Sequence, residues 1–136
     1  MKTYNLFISH SWSYFDEYDR LIDLLEKRSY FKFKDYSVPK DDPIHTNGTD
    51  KDLYAAIFQQ MQPCSVVLIL AGVYATYSKW IEKEIGIAKR EFDTPKPIIA
   101  IEPWGSEKTS SVVKDNADQI VKWNTESVVS AIRKLA

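Results

Sequence analysis

One cysteine, four glycines and no apolar run long enough to cross a bilayer set the first limits on this chain of 136 residues. Cys64 has no second thiol to pair with, so neither an internal disulfide nor a cysteine-rich zinc site can form, which suits a reducing, cytoplasmic location. The glycines stand at 48, 72, 86 and 105, and cannot be assembled into G-x-G-x-x-G or a Walker A loop. The two commonest phosphate cradles are therefore excluded. Residues 65–75, the longest apolar stretch, amount to about half of the ~20 a spanning helix needs, and the first residues lead into a strand with no secretion signal. An excess of either charge is also lacking. With 18 Lys and Arg against 19 Asp and Glu, the formal charge of −1 removes the counterion-release term that drives binding to nucleic acid. His10 and His45 share no i, i+4 spacing, so no metal site is expected.

What is present suits one globular domain over residues 1–136, with 44% apolar and 27% charged residues. A chain of this size buries roughly 65–70% of its unfolded surface and needs no staple. Short apolar runs alternate with amphipathic segments along it. Tyr4–Ile8 reads as a buried strand, and Tyr14, Tyr18, Leu21, Ile22 and Leu25 form a helical stripe running to about Arg28, with Ser13 and Asp16 as a capping box. Tyr30–Tyr36 alternates aromatic with charged residues, as an edge strand does. The segment 37–48, with Pro39, Pro43 and Asn47-Gly48, reads as a long functional loop. Thr49 and Asp52 then open a helix through Leu53, Ile57 and Met61.

Cys64–Leu70 is nearly all apolar and β-branched, the pattern of a central parallel strand covered on both faces. Ser78–Phe92 is an amphipathic helix with Ile81, Ile85, Ala88 and Phe92 on one face. Lys96–Ile101 is a fourth strand, the segment 102–118 is irregular with room for a short helix, and Ile120–Trp123 is a fifth strand. Asn124 caps a last helix carrying Val128, Val129, Ile132 and Leu135. This alternation argues for a doubly wound α/β sheet, whose ligands sit beyond the carboxyl ends of its strands.

At that edge the sequence gathers Ser9, His10 and Ser11 after the first strand, Ser37 after the second, and Trp80 with Glu84 on the third helix. Trp80 and Glu84 are four apart, so they share a helix side, and the neighbouring stripe of Ile81, Ile85 and Ala88 sets Glu84 at the border of the core. Each has a plainer reading as well. Ser9–Ser11 could satisfy a helix start, His45 could be a solvated loop residue, and Glu84 could sit in an ion pair. A phosphoacceptor receiver is disfavoured because the first and third strands end in Ser9-His10-Ser11 and Ala71-Gly72 without the needed acids. A flavin-binding domain is disfavoured because the first loop lacks a glycine-bearing cradle.

In F-I-S-H-S-W (Phe7–Trp12), D-Y-S-V-P (Asp35–Pro39), C-S-V-V-L-I-L and S-K-W-I-E-K-E-I (Ser78–Ile85) the chain resembles the TIR superfamily. Within it, the D-x-S-x-P followed by D-P and the late I-x-P-W-G (Ile101–Gly105) are similar to the TIR-like subunit of Thoeris anti-phage systems. The resemblance implies a three-layer flavodoxin-like fold with a five-stranded parallel sheet in order 2-1-3-4-5. It implies NAD as substrate, no separate cofactor, and Glu84 as the catalytic glutamate of the W-x-x-x-E helix. Ser9, His10, Ser11, Ser37 and Trp80 are then expected to bind the substrate. The product would be a cyclic ADP-ribose isomer or a related ADP-ribose messenger acting on a separate effector, with assembly into a homo-oligomer and a phage-derived trigger on activation and no partnership with nucleic acid or membrane. The alternative is a non-enzymatic TIR interaction module.

Overall fold

In the computed structural model the element order is β1 (Thr3–Ser9), α1 (Phe15–Glu26), β2 (Lys32–Asp35), α2 (Asp50–Met61), β3 (Val66–Leu70), α3 (Lys79–Arg90), β4 (Ile98–Ile101), α4 (Ser111–Asn116), β5 (Gln119–Val121) and α5 (Thr125–Leu135). The structure describes residues 2–9, 15–37, 50–72, 79–102 and 110–136, and for 15–17, 50, 79 and 80 the backbone alone. The helix caps expected at Ser13 and Thr49, the expected helix start at Ser78, the long loop beyond Ser37, and the W-G of the late motif lie outside these residues.

All strand pairs are parallel, and the sheet order is β2-β1-β3-β4-β5. The expected flavodoxin-like arrangement is therefore present. Strand character predicts position: β3, all β-branched or leucine and buried at every residue, is central, while β2, with its exposed lysines and half-buried Phe33, is an edge. Successive strand residues face opposite sides, which sorts the interior into two apolar layers. Phe7, Val67, Ile69, Ile98 and Ala100 pack with Ile57 and Met61 of α2, Ile81, Ile85, Ile87 and Ala88 of α3, and Val113 of α4. Leu6, Ile8, Val66, Leu68, Leu70, Ile99 and Ile101 pack with Leu21 and Leu25 of α1 and Val128, Val129 and Ile132 of α5.

Element ends depart from expectation where backbone groups are claimed by neighbours. β2 begins at Lys32 because Tyr30 adopts φ 59, a left-handed turn that stops an extended run. β3 begins at Val66 because the Cys64 N–H donates to the Met61 carbonyl at 2.9 Å, closing α2 first. The Lys96 ammonium also serves that end, donating to the Gln62 and Cys64 carbonyls at 2.9 and 2.8 Å. α3 stops at Arg90, and Phe92 stacks on Phe58 with ring centres 4.8 Å apart. β5 runs over 119–121 instead of 120–123. Trp123 is half-buried against the layer under α1 and α5, and Asn124 accepts from the Ser127 N–H at 3.1 Å to start α5, as its sequence context predicts. Among the described residues no helix is long and apolar enough to cross a membrane.

Candidate functional site

Ile8 and Ser9 are neighbours in sequence that the pleat sends to opposite sides of the sheet. Ile8 enters the layer under α1 and α5, and Ser9, two residues past Phe7, shares the side covered by α2 and α3. At 1% exposure its hydroxyl is inside, with no hydrogen-bond partner among the described residues. A buried hydroxyl without a partner is costly, so such groups in native folds call for an explanation.

Glu84 comes to the same side from α3. Its sequence position suggested the border of the core, but the structure takes it further in, to 1% exposure among Ile81, Ile85, Ile87 and Ala88. The reason lies in helical phase: Glu84 sits between Ile81 and Ala88 on the stripe that covers the sheet, while Glu82 points outward. Ser110 completes a set of three, since Ser9, Glu84 and Ser110 are the buried polar or charged residues among those described. Ser110 donates its N–H to the Ala71 carbonyl at 2.7 Å just past the end of β3, and its hydroxyl accepts from the Val113 N–H at 3.4 Å to cap α4.

Two of the three thus mark the carboxyl ends of β1 and β3, where α/β sheets bind ligands, and the third stands on the helix that leaves that edge. The sequence reading passed over Ser110. Its signal was a serine opening the S-S-V-V run, three residues before the N–H it accepts from.

Ser37 also reaches this edge, from beyond β2. Its hydroxyl oxygen lies 2.7 Å from the Ile8 carbonyl and accepts from the Ile8 N–H at 3.2 Å. Asp35 Oδ1 accepts from the Ser37 N–H at 2.9 Å, and Oδ2 accepts from the Tyr18 hydroxyl of α1. Burial, reinforced by the hydrogen bond to Asp35, raises the Tyr18 phenol well above its ordinary value, so it stays a donor. His10 and Ser11 lie outside the described residues. The Trp80 backbone is in α3, one turn before Glu84, and its side chain lies outside them too. No group of three or more His, Cys, Asp or Glu suited to a metal occurs among the described residues.

A parallel five-stranded sheet in this order with helices on both faces defines a flavodoxin-like α/β fold, the fold of TIR and SEFIR domains. The chain belongs to the family described as Thoeris protein ThsB, TIR-like domain, whose profile matches residues 7–108. Among solved structures it is similar to the SEFIR domain of IL-17 receptor B, with 11% identity, 98% of this chain and 94% of that one covered, and a TM-score of 0.61. A prokaryotic SEFIR domain is similar at 16% identity, covering 96% and 97% of the two chains, with a TM-score of 0.48. At 11% identity the likeness to the IL-17 receptor B domain shows the fold alone. No curated protein matches the chain.

Proposed function

We propose that this chain cleaves NAD at the nicotinamide–ribose bond and releases an ADP-ribose-derived messenger, a cyclic isomer or a related species, in anti-phage defence. The observation that carries the reading is Glu84, a carboxylate placed in an otherwise apolar layer on the side of the sheet where Ser9 is also buried. Burying an acid costs stability, so an acid buried beside the edge where α/β sheets bind ligands is a functional-site candidate.

The chemistry suits a single acid. The bond from ribose C1′ to nitrogen breaks with its electron pair leaving on a nicotinamide that departs neutral, so no general acid is required. Positive charge builds on the ribose as in other glycosyl transfers. A carboxylate held away from water stabilises that charge more strongly than it would in solution. The oxygen of water, or of a hydroxyl in the same ADP-ribose, then bonds to C1′ and gives its proton to solvent. Ser9, His10 and Ser11 supply donors for ribose and phosphate oxygens, Trp80 a wall for a ring, and Ser37 belongs to the same edge. The substrate class comes from the family resemblance of F-I-S-H-S-W and S-K-W-I-E-K-E-I, and the buried acid gives it a chemical basis.

Mass spectrometry of small molecules from cells expressing the chain, with and without phage, tests this reading. NAD loss and a new ADP-ribose species are expected on infection with the native chain and not with Glu84→Gln. Unchanged NAD in infected cells, or an equal response from the variant, would favour a module that acts by binding alone.

A further inference from the structure

The end of β1 that carries Ser9 is held from the side by a relay of side chains. The backbone ladder from β2 continues to the Tyr36 N–H, which donates to the Leu6 carbonyl at 2.9 Å. Past that point a side chain takes over. Ser37 Oγ accepts from the Ile8 N–H at 3.2 Å and lies 2.7 Å from the Ile8 carbonyl oxygen, so one hydroxyl fills both places that an adjacent strand's backbone would occupy. Asp35 sets that hydroxyl: Oδ1 lies 2.5 Å from it and accepts from the Ser37 N–H at 2.9 Å, while Oδ2 takes the Tyr18 hydroxyl. Tyr18 of α1 and Asp35 of β2 thus act through Ser37 on Ile8, the residue before Ser9.

A serine hydroxyl has one hydrogen to give. With the Ile8 carbonyl and Asp35 Oδ1 both in reach of that hydrogen and the Ile8 N–H on a lone pair, Ser37 has no donor left for a ligand. We infer that Ser37, backed by Asp35 and Tyr18, is a positioning residue that fixes the Ser9 end of β1, and not a group that touches substrate. The inference rests on the proposed reading in taking this edge as the substrate edge, and it revises the role the sequence suggested for Ser37.

The test compares the full chain with Ser37→Ala, Ser37→Thr and Tyr18→Phe, by amide hydrogen exchange at Ile8 and by steady-state NAD turnover. Ser37→Ala should speed Ile8 exchange about tenfold, because local opening no longer breaks that bond, and lower kcat about tenfold with KM within about twofold, as loss of orientation does. Ser37→Thr keeps the hydroxyl and should restore both. Tyr18→Phe should shift both the same way by about half as much on a logarithmic scale. A tenfold or larger rise in KM with Ile8 exchange unchanged would make Ser37 a substrate contact and overturn the inference. Unchanged exchange and unchanged kcat in Ser37→Ala would overturn it as well, while leaving the Glu84 reading intact. If the native chain leaves NAD whole but Ile8 exchange follows the expected pattern, the cleavage reading fails and the positioning role of Ser37 stands.

Discussion

The two sides of the sheet are built from the same strands and differ in what they hide. Under α1 and α5 the buried side chains among the described residues are all apolar, from Leu6 and Ile8 across Leu68 to Ile99 and Val121. Under α2, α3 and α4 the same kind of apolar layer, with Phe7, Val67, Ile69 and Ala100 at its centre, lies among the buried Ser9, Glu84 and Ser110. Both layers supply the burial that folding requires, so stability alone gives no reason for the asymmetry. One side is a scaffold. The other surrenders some stability to hold polar groups toward the sheet's carboxyl end, the trade expected of a functional surface.

Adjacent substitutions in β1 give the largest contrast. Ile8→Ala, on the scaffold side, should cost about 2–5 kcal/mol through lost contacts and a cavity, whereas Ser9→Ala, one residue on, should raise stability by up to about 1 kcal/mol because it removes a buried hydroxyl with no described partner. Urea denaturation of the two variants checks this. Equal losses would erase the distinction between the sides.

Cys64 extends the comparison to the amino end of the polar side. Burial pushes its thiol up to about 12, with the nearby Lys96 charge opposing and Asp35 adding a smaller upward push. A folded value above the unfolded one means the contribution to stability is complete below about pH 8.5 and is lost as pH rises toward 12. The native chain should therefore lose stability over that alkaline range more steeply than Cys64→Ala, in denaturant titrations at stepped pH.

Asp118 should give the smallest effect. Its Oδ2 accepts from the Lys89 ammonium at 2.7 Å and from the Ile98 N–H at 2.8 Å, tying α3 to the start of β4. Burial pulls this carboxyl upward, but those two partners and the Lys89 charge outweigh it and hold it below its ordinary value. The stabilisation is then present above the unfolded value near 3.9 and is lost as pH falls through the folded one. Asp118→Asn should flatten the acid limb of the stability profile and cost under about 1 kcal/mol at neutral pH, as suits a partly exposed, solvent-screened pair.

Much of this architecture was legible because its signals are local. The uniformly apolar V-V-L-I-L run could only be a central strand, the aromatic and charged alternation of 30–36 placed β2 at an edge, and Asn124 sits three residues before the N–H it accepts from. What escaped depended on long-range company. Tyr30 has no sequence feature that marks it for a left-handed φ. The depth of Glu84 follows from how α3 is rolled onto the sheet, which a helical wheel gives only to within a neighbouring position. Ser37 looked like a donor for a ligand because the pairing of its hydroxyl with Ile8 spans 29 positions and three elements.

Nicotinamide release from NAD by the purified full chain and by Glu84→Gln, measured side by side at the same high protein concentration, bears most directly on the role of the buried acid. Release by the native chain that falls by about 10²–10³ in the variant is the expected result, the range for removing one preorganised electrostatic partner of a transition state. Equal release from both proteins would contradict the account.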